Sequence, residues 1–169
     1  MNLKLEIRII AILIVILLSY GCENDVSADY MAPDFSLNDL SGQPVTLSQY
    51  SGNIVLLDFW ATWCQPCRMS IPELVDIQKR YNDQGVVILG VSLDDPKQFN
   101  NNYLRAFKKK FKMNYPVLRS SDEMLRDYFG NRQISIPTMY IIDRKGKISG
   151  RHVGFQAGAV ERSLKKLIP

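Results

Sequence analysis

The chain has 169 residues, with 21 Lys and Arg against 17 Asp and Glu, one His and three Cys, for a formal net charge of +4 at pH 7. That length suffices for one domain with a substantial core. So small a charge excess reads as ordinary solubility and points away from nucleic acid, and no internal repeat or low-complexity tract is present.

The chain opens "MNLKLEIRIIAILIVILLSYGC", where Lys4 and Arg8 make a short positive region and Ile9 to Leu18 an unbroken apolar run of ten residues. A spanning helix needs roughly 20 apolar residues and the core of a signal peptide about 7 to 15, so an export signal is expected rather than a span. Gly21-Cys22 just beyond the run resembles the lipobox of bacterial lipoproteins, which implies lipid on Cys22 and a new N-terminus there. Ordinary signal cleavage and an uncleaved anchor are the alternatives. All three put the remaining chain outside the cytoplasm. Three cysteines are odd for an exported protein, and a lipidated Cys22 leaves Cys64 and Cys67 as the remaining two. The expected division is a signal peptide over 1–22, a polar tether "ENDVSADYMA" over 23–32 and one domain over 33–169.

The domain opens with "PDFSLNDLSGQPVTL", two alternating stretches about Ser41-Gly42 that predict a hairpin. "NIVLLDFW" is a near-continuous apolar run, the pattern of a central strand covered on both faces. A helix is expected from Cys64 to Tyr81, kinked at Pro72, followed by a second buried strand, "GVVILGVSL". Asp95 with Pro96 predicts a helix start, the helix running to about Lys112 with Phe99, Tyr103, Ala106 and Phe107 as its apolar stripe. Its cluster Arg105, Lys108, Lys109, Lys110 and Lys112 reads as a solvated face, with anionic lipid or an acidic partner as the alternative. A short strand after Pro116 precedes "SSDE", a capping box at Ser120 and Glu123, whose helix stops at Gly130. "TMYIID" and "KISGRHV" about the turn "RKG" read as an antiparallel pair, and residues 156–167 as a closing helix. Strands alternating with helices, then a terminal hairpin and helix, imply an α/β fold with a mixed sheet and helices on both faces.

Chemistry concentrates in "FWATWCQPC", residues 59–67. A cysteine in the first turn of a helix faces unpaired N–H groups and the positive end of the helix dipole, which favour thiolate over thiol. Cys64 is therefore the expected nucleophile, and Cys67, one turn on, can close a disulfide with it. Pro66 stiffens the turn and Gln65 adds no charge. A zinc site would need two further ligands, and only Cys22 and His152 remain, the latter expected on the surface of a strand away from the pair. A purely structural staple closing so short a loop would contribute little stability. Redox exchange is the favoured reading, with no metal and no cofactor. Asp58, six residues before Cys64 in an apolar strand, loses solvation there and is expected to have a raised pKa. Its place resembles that of the buried acid of thioredoxin, which implies a proton shuttle with Cys67; the alternative is an acid satisfied by backbone donors at the strand end.

The cysteine motif in its Trp-rich frame resembles the active site of the thioredoxin superfamily. "APDFSLNDLSGQPVTLSQYSGN" before it and "SIPTMYIIDRKGKI" after it resemble the TlpA/ResA/DsbE branch of exported thiol–disulfide oxidoreductases, from about Ala32 to the C-terminus. The resemblance implies a thioredoxin fold with an extra N-terminal β-hairpin, Cys64 as attacking and Cys67 as resolving thiol, and Trp63 covering the site. It further implies a cis Pro137 facing the pair, with the Ile136 backbone free to pair with an extended substrate. Gln65 and Pro66 complete the substrate-binding surface. Implied partners are substrate protein disulfides or dithiols, such as the haem-binding cysteines of apocytochrome c, and a membrane electron donor, the protein itself being a monomer. Branch members often carry a glutamate three residues past the second cysteine; this chain has Ser70. A thiol peroxidase is the rival enzyme, but its Pro-x-x-x-Thr-x-x-Cys pattern meets Leu57 and Ala61 counted from Cys64, and Trp60 and Cys64 counted from Cys67. A copper chaperone or binding module is the non-enzymatic alternative, for which His152 is the one available histidine.

Overall fold

A computed structural model describes residues 30–168; the expected signal peptide, Cys22 and most of the tether lie outside the described residues. Strands β1 (Ser36–Asn38) and β2 (Pro44–Thr46) form the expected antiparallel hairpin. Asp39 closes its turn by accepting from the Ser41 and Gln43 amides and the Ser41 hydroxyl. The main sheet contains β3 (Ile54–Trp60), β4 (Val86–Ser92), β5 (Val117–Arg119), β6 (Thr138–Ile142) and β7 (Ile148–Val153) in the order β5-β4-β3-β6-β7. β3, β4 and β5 run parallel, whereas β6 and β7 run antiparallel to their neighbours. Every residue of β3 is buried, as its continuous apolar run requires of a strand covered on both faces.

Side chains alternate across that sheet. Ile54, Leu56 and Trp60 face one way, onto the helices α1 (Gln65–Tyr81), α2 (Asn101–Lys110) and α4 (Ala159–Lys165). Val55, Leu57 and Phe59 face the other way, onto the hairpin and α3 (Asp122–Phe129). The sheet is thus mixed, with helices on both faces. α1 buries Cys67, Ser70, Ile71, Leu74, Ile77 and Gln78 at helical spacing and continues through Pro72.

Several boundaries differ from expectation. Asp95 and Pro96 make only a single turn, in which the Asp95 carbonyl accepts from the Gln98 and Phe99 amides. Asn100 is extended and caps α2 by accepting from the Tyr103 amide. Arg119 separates turn from helix by donating to the Asp94 and Phe99 carbonyls and to the Asn101 side chain. Rotating the helix start moves its buried stripe to Leu104, with Phe107 and Phe111 packed against the same core, and leaves Tyr103 and Ala106 exposed. The cap of α3 is Ser121, not Ser120, because the Ser120 amide is still bonded to the Ser92 carbonyl at the end of β4. α4 starts only at Ala159, since Gly158 before it is left-handed at φ 73°. His152 is half-buried rather than on the surface and bonds Ser163 of α4.

Candidate active site

β3 delivers the chain from the core into the short turn Ala61-Thr62-Trp63, and α1 begins immediately after it. The turn is tied to the end of β4. The buried Asp94 carboxylate accepts from the Thr62 amide at 3.0 Å, the Thr62 hydroxyl at 2.7 Å and the Ser92 hydroxyl at 2.8 Å. Cys64 caps α1 with its own side chain: Sγ accepts from the Cys67 amide at 3.2 Å. Pro66 falls in the first turn of the helix, where its missing N–H costs no intrahelical bond.

Cys64 and Cys67 form a disulfide with Cα atoms 5.3 Å apart. Cys64 retains 5% exposure and Cys67 none, so any partner must approach from the Cys64 side. Trp63 is 61% exposed, its ring in solvent beside the pair, and Gln65 and Pro66 are exposed in the same rim. The Ile136–Pro137 peptide is cis, and the Ile136 carbonyl oxygen lies 3.7 Å from Cys64 Sγ. In the disulfide that sulfur carries no hydrogen, so this is a contact rather than a hydrogen bond. The Pro137 carbonyl is occupied by the Gly154 amide at 2.8 Å. Ser70 donates its hydroxyl to the Cys67 carbonyl at 2.8 Å, inside the helix.

Asp58 points to the α1 side of β3 with Ile54, Leu56 and Trp60, the face that also holds Cys67. It is 1% exposed, and burial pushes its carboxyl up to about 7. Oδ1 has no protein hydrogen-bond partner. A carboxyl in that range changes protonation near neutrality, which an exposed aspartate does not. Burial, with Arg162 as the lesser cause, lowers the pKa of His152.

The structure brings Cys64, Cys67, Ile136 and Pro137 together, with Asp58 on the core side of the same layer. Sequence reasoning singled out Asp95 and missed Asp94, the residue that holds the turn. The one available signal was a carboxylate directly after a buried strand, and a twin Asp-Asp pair does not say which member turns inward. Trp60 and Tyr115, both buried with polar atoms facing Asp58's side of the sheet, also escaped notice, because aromatic residues in apolar runs read as core.

The AhpC/TSA family model matches residues 28–151. The chain is 37% identical over 132 residues to the thioredoxin-like protein YneN of Bacillus subtilis, covering 78% of this chain and 75% of that protein. It is 33% identical over 123 residues to the thiol-disulfide oxidoreductase ResA of Geobacillus thermodenitrificans, covering 73% and 67% respectively. The chain belongs to the AhpC/TSA family, among its ResA/DsbE-type thiol–disulfide oxidoreductases. A DsbE-like thiol:disulfide interchange protein of Chlorobium tepidum superposes with a TM-score of 0.71 at 32% identity, over 82% of this chain and 96% of that one. The thioredoxin-like fold with its added hairpin is common ground with these relatives.

Proposed function

We propose that this oxidoreductase works outside the cytoplasm, tethered to a membrane, and reduces disulfides of substrate proteins. Cys64 attacks and Cys67 resolves. The observation that carries the assignment is the N-cap geometry. The Cys67 amide already donates to Cys64 Sγ, and α1 directs its positive end at the same atom, so a charged sulfur is better accommodated at Cys64 than at fully buried Cys67. The Cys64 thiolate bonds to one sulfur of the substrate disulfide, and the other leaves as a thiolate that takes a proton. Cys67 then gives its proton to Asp58 and attacks Cys64 Sγ. The Cys64–Cys67 bond forms, the mixed disulfide breaks, and two electrons have passed to the substrate. Dithiol donors of the membrane would restore the reduced pair. Trp63, Gln65, Pro66 and the Ile136 backbone form the rim that an extended substrate segment would meet. Substrate cysteines of apocytochrome c before haem attachment are the class the family resemblance favours.

The signal-like residues 1–22, with Cys22 after Gly21, support the tether. Trapping tests the cysteine roles: Cys67→Ser should accumulate mixed disulfides on Cys64 with substrate proteins, and Cys64→Ser should not. Adducts on Cys67 instead would reverse the assignment.

A further inference from the structure

Among the described residues three buried side-chain polar atoms have no protein hydrogen-bond partner, and the strand register gathers them. Asp58 of β3 pairs with Gly90 of β4, and a β-carbon at position 90 would stand 3.0 Å from Trp60 Nε1 and 3.2 Å from Tyr115 Cε2. Glycine at 90 therefore lets the Trp60 indole and the Tyr115 ring close onto the strand at the position paired with Asp58, where any larger side chain would crowd them. Asp58 Oδ1, Trp60 Nε1 and the Tyr115 hydroxyl are the three unpartnered atoms, and each residue is 1% exposed. Two donors facing a carboxylate make a set that one water satisfies, accepting from the indole or phenol and donating to the acid. Buried water commonly makes about three such bonds.

We propose that Asp58, Trp60 and Tyr115 enclose a hydration site over Gly90, and that Tyr115 is the positioning residue that tunes Asp58 as proton acceptor for Cys67. The proposal rests on the shuttle reading of Asp58 and adds what governs it. Tyr115 follows α2 and packs into the same core cluster from a different segment than either cysteine, and burial with the nearby Asp58 charge raises the pKa of its phenol. The strand partners of Asp58, Gly90 on β4 and Met139 on β6, do not titrate, nor do Leu104 and Phe107, which α2 contributes to the core on that face of the sheet. α1 contributes Cys67, the proton donor itself. A phenol donating toward the carboxylate through water favours the ionised acid, and so sets how readily it accepts the Cys67 proton.

Tyr115→Phe removes that hydroxyl and nothing else. In the oxidised full-length protein, where the cysteines do not titrate, carboxyl carbon NMR should show the Asp58 titration moving up by about half a unit or more. The ascending limb of the disulfide-reduction rate should move up with it, lowering the rate near pH 7 about threefold and restoring it at higher pH. A crystal structure should show one water within hydrogen-bond reach of Asp58, Trp60 and Tyr115. If Tyr115→Phe leaves the Asp58 titration unmoved while Asp58→Asn changes the rate profile, the hydration site is wrong and the shuttle survives. If Asp58→Asn matches wild type across the pH range, the shuttle itself fails, and this proposal with it.

Discussion

Cys64 and Cys67 sit in different surroundings although only three residues separate them. Cys64 Sγ receives an amide proton and retains access to solvent, whereas Cys67 is enclosed by the core. In the reduced protein at neutral pH, iodoacetamide should therefore label Cys64 first, with an apparent pKa below that of a free cysteine; faster labelling of Cys67 would contradict the proposed roles. Asp58 carries a second residue-scale consequence, through linkage. Its carboxyl is raised from 3.8 to about 7 by burial, so the folded state binds this proton more tightly than the unfolded chain does. The fold is penalised least below about pH 4, progressively more as pH rises through about 7, and by a constant amount above it. The shift corresponds to ~4 kcal/mol at full ionisation. Asp58→Asn removes the penalty but still buries an amide, so a net gain of about 1–3 kcal/mol is expected above pH 7, vanishing toward pH 4. Denaturant unfolding at pH 5 and pH 8 checks this. Equal gains at both would mean that Asp58 does not titrate in the fold.

Between β3 and α1 the active-site turn depends on a carboxylate from another element. Asp94, beyond the end of β4, satisfies the Thr62 amide, the Thr62 hydroxyl and the Ser92 hydroxyl at once. Asp94→Ala would leave these buried groups unpaired and should cost about 3 kcal/mol, whereas Asp94→Asn keeps part of the set and should cost less. Hydrogen exchange at the Thr62 amide should accelerate in the alanine variant more than exchange in the interior of β3. Uniform acceleration would mean that Asp94 supports the whole sheet rather than the turn. At this scale element types were legible in the sequence, because continuous apolar runs and the spacing of Ile71, Leu74 and Ile77 carry their own periodicity. Boundaries were less so. Asp95 and Asn100 are both competent caps, as are Ser120 and Ser121, and what chose between them was contact with distant strands: Arg119 holding the Phe99 carbonyl, and Ser92 holding the Ser120 amide.

For the molecule as a whole, the proposed tether and direction of electron flow are open to direct measurement. Cys22→Ala should abolish labelling by a palmitate analogue and release the protein from membranes, since stable anchoring needs more than one acyl chain. A variant that still sediments with membranes, unlabelled, would indicate an uncleaved anchor. Equilibrium with glutathione buffers, followed by fluorescence of Trp60 and Trp63, should give a potential nearer thioredoxin, about −270 mV, than DsbA, about −120 mV, because neutral Gln65 adds nothing to thiolate stabilisation at the helix start. A value above about −180 mV would make the protein an oxidant or isomerase and remove the case for reducing apocytochromes. The sequence by itself determined the cysteine pair, the buried strand that carries it, the hairpin and the identity of the fold, because each of these is written in local periodicity or in a contiguous motif. The tertiary structure put Ile136 at 3.7 Å from Cys64, a juxtaposition that only the family resemblance had implied, and it alone decided that Asp94 rather than Asp95 holds the turn and that Trp60 and Tyr115 close over Gly90 beside Asp58. Those juxtapositions join residues up to 72 positions apart, and their cause is strand order and register, which no local pattern encodes.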